Sequence, residues 1–132
     1  MSPGEAPAQG LSVSSCWVRT MPAQLPSAAY LTLRNETAQR VTLTDVRSEA
    51  FEHVMMHGTQ KEGGMARMVM VHDLPLDPGA QIRFAPGGLH VMLERATRPL
   101  AVGQTVPLQL VFGDRGTVDV DCELRPASTV AQ

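Results

Sequence analysis

The sequence predicts an all-β fold, an antiparallel β-sandwich of eight or nine short strands. Three observations carry this expectation. Short runs rich in β-branched and aromatic residues recur at roughly ten-residue spacing, as the strands of a sandwich do. Turn chemistry separates them. No stretch of about a dozen residues keeps a 3.6-residue apolar period without Pro or Gly interrupting it.

The opening MSPGEAPAQG, residues 1–10, is small, polar and rich in Pro and Gly. It reads as a flexible lead-in and lacks the charged start and apolar core of a signal peptide, so an exported chain would have shed its leader before this point. LSVSSCWVR (11–19) and AAYLTLRN (28–35) are strands with MPAQLPS looping between them. RVTLTDV (40–46) alternates with period two after the turn-like NETAQ. FEHVMMH (51–57) is the next strand, and the polar GTQKEGG after it reads as a loop, so His57 ends its strand. MARMVMV (65–71) follows, then the turn PLDPGA, AQIRFAP (80–86), the Pro86-Gly87-Gly88 turn and LHVMLE (89–94). VPLQLVF (106–112), the turn GDRG and TVDVDCEL (117–124) complete the set. The closing PASTVAQ, residues 126–132, reads as a flexible tail, which leaves one domain over 11–125.

At 132 residues the chain suffices for one core without metal or disulfide staples. A net charge of −2, 18% charged residues and no basic run argue against nucleic acid or an anionic membrane as the main partner. No apolar stretch approaches the roughly 18 residues of a membrane span. The expected state is a monomer. Cys16 and Cys122 lie near opposite ends of the chain and form no C-x-x-C motif. They are either a disulfide, if the first and last strands lie side by side in an oxidising compartment, or two separate buried thiols.

The distribution of His and Met is unusual. Six of the eight Met and all four His fall between residues 53 and 92. His57 is followed after ten residues by Met68, after twenty-one more by His90, and after one more by Met92. On a strand, His90 and Met92 share a face. Two imidazoles and two thioethers are a neutral, soft donor set. Thioether is a poor ligand for Mg, Ca or Mn, structural zinc prefers thiolate, imidazole or carboxylate, and Cu(I) is the first-row ion that thioether selects. With no anionic ligand the loaded site keeps a positive charge, which suits a carrier that must release its ion. A blue-copper carrier needs a Cys thiolate with two His and an axial Met, and ELRPASTVAQ after Cys122 supplies neither His nor Met. There is no Ser-His-Asp arrangement, and four protein donors leave no open position, so no enzyme is expected.

The pattern H-x10-M-x21-H-x-M resembles, in its full spacing, the signature of the PCu(A)C-type periplasmic copper chaperones. CWVR (16–19), AAYLTLRN (28–35), GGMARM (63–68), PLDPGA (75–80) and APGGLHVML (85–93) resemble that family's framework, so the likeness runs from about Leu11 to Leu124. The resemblance implies a cupredoxin-like (Ig-like Greek-key) sandwich holding one Cu(I) per chain through His57, Met68, His90 and Met92. It also implies a periplasmic chaperone that delivers copper to a cuproprotein, the CuA centre of cytochrome c oxidase or a Sco-type thiol protein. General copper storage or homeostasis, or an Ig-like interaction module with a Met-rich core, are the alternatives. The family often follows the first His with Glu-Met. Here Gly58-Thr59 stand there, and Met55 and Met56 just upstream are the candidates for an auxiliary thioether.

The remaining residues read more plainly. Met55, Met65 and Met70 are expected in the core, as Met usually is. His53 and His72 are expected to be solvated or capping, Arg67 to face away from Met68, and Trp17 to anchor the core. The four donors are expected to converge at one end of the sandwich, partly open to solvent, with Pro86-Gly87-Gly88 setting the start of the His90 strand at the rim.

Overall fold

A computed structural model describes residues 9–21 and 25–127. Most of the lead-in (1–8) and of the tail (128–132) lies outside the described residues. The described chain forms β1 (Leu11–Arg19), β2 (Ser27–Asn35), β3 (Val41–Leu43), β4 (Asp45–Arg47), β5 (Phe51–Glu62), β6 (Met65–Val71), β7 (Leu74–Leu76), β8 (Gln81–Phe84), β9 (His90–Ala96), β10 (Thr105–Val111) and β11 (Thr117–Arg125). One 3-10 turn, Gly113–Arg115, joins the last two strands. The all-β, cupredoxin-like expectation is met, with more strands than expected. RVTLTDV splits at Thr44 into β3 and β4, which join different sheets. Part of PLDPGA, read as a turn, is β7, the partner of β3.

The larger sheet runs β4-β10-β11-β1-β2-β9-β5-β6, with β8 also pairing β2, and β3 pairs β7 separately. On the side away from β1, strand β2 meets β9 along Ser27–Ala29 and β8 along Leu31–Arg34. A bulge in β1 between Ser14 and Trp17 re-aims that strand, with Ser15 at φ 55°. Every pairing is antiparallel but one. The first and last strands, β1 and β11, run parallel, which corrects the purely antiparallel expectation. That adjacency brings Cys16 and Cys122 to a Cα–Cα distance of 4.7 Å, and they form a disulfide. Of the two readings left open by the sequence, the bond is the one observed.

Alternation along the strands builds the core. In β10 the residues Val106, Leu108 and Leu110 point inward, and in β9 Val91 and Leu93 do. With Val18, Leu33, Phe84 and Phe112 they form one apolar cluster, each large side chain contributing about 1.5–3 kcal/mol on burial. Asn35 is fully buried at the end of β2. Its amide nitrogen donates to the carbonyls of Gln39 and Leu76, and its oxygen accepts from the Thr37 backbone N–H. These bonds shape the turn into β3 and leave no buried polar atom unpaired at that corner.

Candidate metal centre

The site is a consequence of strand parity. Because Val91 and Leu93 are fully buried, His90 and Met92 must project from the opposite, outer face of the sheet, where both are half-buried. The register then carries that face across three strands. His90 stands opposite His57, and Met92 opposite Met55 on β5 and Ala28 on β2. On β6, Met68 stands opposite Thr59 and Met70 opposite His57. Directly opposed residues point the same way, so all four sequence-predicted donors share the outer face of β9-β5-β6.

Gly63 and Gly64, at φ 59° and 81°, make the two-residue turn that fixes the β5–β6 register. His57 therefore lies in the middle of a twelve-residue strand and not at its end. The expected loop after it is the distal half of a hairpin whose polar residues need no core partner. The four residues accordingly gather on the outer sheet face, beside the edge strand β6 and the start of β9.

The contacts are close. His57 Nδ1 lies 3.2 Å from Met68 Sδ, inside the roughly 4.3 Å that a nitrogen and a sulfur bound to one first-row ion can span. Met68 reaches it diagonally across the strand pair. The His57 and His90 rings meet edge to face at a centroid distance of 5.6 Å. His90 Nδ1 lies 3.2 Å from the Gly88 carbonyl oxygen. A carbonyl only accepts, so Nδ1 carries the proton and Nε2 keeps its lone pair for a ligand. The Pro86-Gly87-Gly88 turn thus orients the imidazole as well as starting the strand, and Gly87 provides the φ of 86° that the turn requires. A shallow cleft beside the rings is lined by Thr59, Met68, His90, Met92, Arg19 and Tyr30. The Arg19 guanidinium donates to the Tyr30 hydroxyl at 2.7 Å and fixes the cleft wall.

Desolvation holds the His57 pKa below its ordinary value. The charge that His90 can carry pushes the same way, and the Glu94 carboxylate opposes both. The imidazole is thereby kept neutral, the form that binds a metal. Among the described residues, no three His, Cys, Asp or Glu side chains come together as a metal site. The sulfur donors beside the two imidazoles are thioethers, which select for a soft ion. A larger cleft lies elsewhere, along β4, β10 and β11, and offers neither His nor Met.

The other Met and His sort by the same parity. Met56 alone among the six clustered Met is buried, 4% exposed and on the core face, so it cannot serve as an auxiliary donor. Met55, half-buried, stands on the site face. Met65 and Met70, expected in the core, are exposed at 74% and 52%, Met65 because it lies at the hairpin tip beyond the core and Met70 because it stands on the outer face across from His57. Period two puts Met70 on the face of Met68, and the Gly63-Gly64 register sets it across from His57. His53 and His72 are exposed, Arg67 has the parity opposite to Met68, and Trp17 is buried against Tyr30 at a ring distance of 4.8 Å.

Comparison with known proteins gives a consistent picture. The LpqE-like family model, described as "Putative lipoprotein LpqE-like", matches residues 11–124. "Putative lipoprotein Lxx21020" of Leifsonia xyli subsp. xyli is 28% identical over 120 residues, covering 90% of this chain and 71% of that protein. Among solved structures, an apo PmoF2 PCuAC domain shares the fold at a TM-score of 0.78 and 22% identity, covering 97% of this chain and 99% of that one. Apo-DR1885 from Deinococcus radiodurans is 32% identical with a TM-score of 0.68, covering 92% of this chain and 83% of that one. The same protein as CuI-DR1885 is 30% identical at a TM-score of 0.68, covering 92% and 80%. With its framework matched from the first described strand to the last, the chain belongs to the LpqE-like family of PCu(A)C-type proteins.

Proposed function

We propose that the protein is an exported Cu(I) carrier that holds one copper ion through His57, Met68, His90 and Met92 and hands it to a cuproprotein. The observation that carries the reading is the 3.2 Å approach of His57 Nδ1 to Met68 Sδ, with His90 and Met92 beside them on one solvent-facing sheet surface. All four donors are neutral, and Met68 is 54% exposed. An acceptor's ligands can therefore reach the ion before these donors release it. The relative solved as CuI-DR1885, at 30% identity, supports Cu(I) as the cargo. The lipoprotein names of the family and of the Leifsonia relative support an envelope location, the periplasm in a bacterium that has one. The acceptor we favour is the CuA centre of cytochrome c oxidase, reached directly or through a Sco-type thiol protein; this rests on the family resemblance.

An anaerobic Cu(I) titration followed by native mass spectrometry tests the reading. One Cu(I) per chain, undisplaced by equimolar Zn(II), is expected because thioether favours the softer ion. Displacement by zinc would refute the Cu(I) reading, and no stoichiometric uptake would favour an interaction module.

A further inference from the structure

We infer that Met70 is an exchange ligand for the same ion, bonding to it only while it enters or leaves; the inference rests on the copper reading above. The β5–β6 register sets Met70 directly across from His57 and Met68 directly across from Thr59. Opposed residues in such a pair have Cβ atoms about 4.5–5.5 Å apart on a common face. Met70 therefore flanks His57 on the same face as Met68, on the edge strand of the sheet. It is 52% exposed, and the inward side of β6 is supplied by Val71. Packing does not account for an exposed Met at this register position. A thioether on three rotatable bonds can sweep from solvent to an ion beside His57.

The step is a ligand exchange. A copper–sulfur bond to Met70 forms as the bond to Met68 breaks. The ion stays Cu(I), and no proton moves because a thioether carries none. A bond made during the crossing and not at rest lowers the barrier in both directions and leaves the equilibrium unchanged.

The test uses the full chain and the variants Met70→Leu and Met65→Leu. Met65 is the control, more exposed at 74% but of opposite strand parity to Met68 and Met70. Stopped-flow capture by a chromogenic Cu(I) chelator, under anaerobic conditions, reads the rate. Met70→Leu should keep its copper Kd within about twofold while loading and capture each slow about tenfold, equivalent to roughly 1.4 kcal/mol of barrier. Met65→Leu should behave as wild type. A second readout is the 13C-methyl Met spectrum with sub-stoichiometric Ag(I), in which the Met70 methyl should broaden with that of Met68 while Met65 stays sharp. Unchanged exchange rates, or a Met70 methyl as silent as that of Met65, would overturn the inference. So would a large loss of affinity in Met70→Leu, which would make it a resident ligand. Absence of Cu(I) binding by the wild type would instead overturn the copper reading on which this one stands.

Discussion

Replacing Met68 by Leu separates a ligand from a packing residue. The two side chains have similar volume, and such exchanges in a packed core usually cost less than about 1.5 kcal/mol. Met68 is 54% exposed, so roughly half of that core figure applies, and the variant should melt within a few degrees of wild type. Copper affinity should respond far more. Loss of a group that merely orients a metal ligand typically costs 10–100-fold in affinity, so loss of a donor should cost at least about 100-fold. That is roughly 2.7 kcal/mol, several times the folding penalty. A competition titration against a Cu(I) indicator, paired with a thermal melt of the metal-free protein, reads both quantities. The metal-free variant also loses the His57 Nδ1 contact with sulfur, which should move the Nδ1 resonance. Wild-type copper affinity in a folded Met68→Leu protein would remove Met68 from the site.

Other consequences follow from the same geometry. The His57 pKa is lowered, mainly by desolvation, so its fold contribution is intact above about pH 6.5, the ordinary His value, and declines as pH falls from there toward the folded pKa. An NMR titration of the metal-free protein should give a His57 midpoint below 6.5, and with no acceptor present acid should promote copper release; a midpoint above 6.5 would contradict the burial argument. Inserting one residue after Val91 puts His90 and Met92 on opposite faces, and should abolish copper binding; retained affinity would show that the pair does not act together. Reducing the Cys16–Cys122 disulfide, which spans 106 residues, should lower stability by up to about 4.7 kcal/mol on the loop-entropy account. Neither sulfur lines the cleft, so copper affinity at a temperature where the reduced chain is still folded should be unchanged. Two free thiols in denaturant without reductant would refute the bond.

The fold class, and the gathering of His57, Met68, His90 and Met92 on one face, were legible in the sequence for different reasons. Strands such as β9 and β10 announce themselves by alternation against a core, and the spacing from His57 to Met92 corresponds to four register positions on one face. What escaped reading was set by pairing, not by composition. The polar residues after His57 looked like a loop because strand signals come from burial, and an edge hairpin exposed on both sides has little to bury. Met65 and Met70 looked like core for the complementary reason: an apolar side chain in a strand is ordinarily buried, and only the pairing shows that Met65 lies at an overhanging tip and Met70 on the outer face. Strands β3 and β7, three residues each, are too short to carry a period. The parallel contact of β1 with β11 joins residues at opposite ends of the chain, and no local pattern encodes it.

X-ray absorption on the anaerobically Cu(I)-loaded protein tests the central claim most directly, because it counts the atoms around the metal. The account predicts one copper per chain with two sulfur and two nitrogen scatterers, falling to one sulfur in Met68→Leu. A shell of nitrogen and oxygen without sulfur, or one unchanged when Met68 and Met92 are both replaced by Leu, would contradict it.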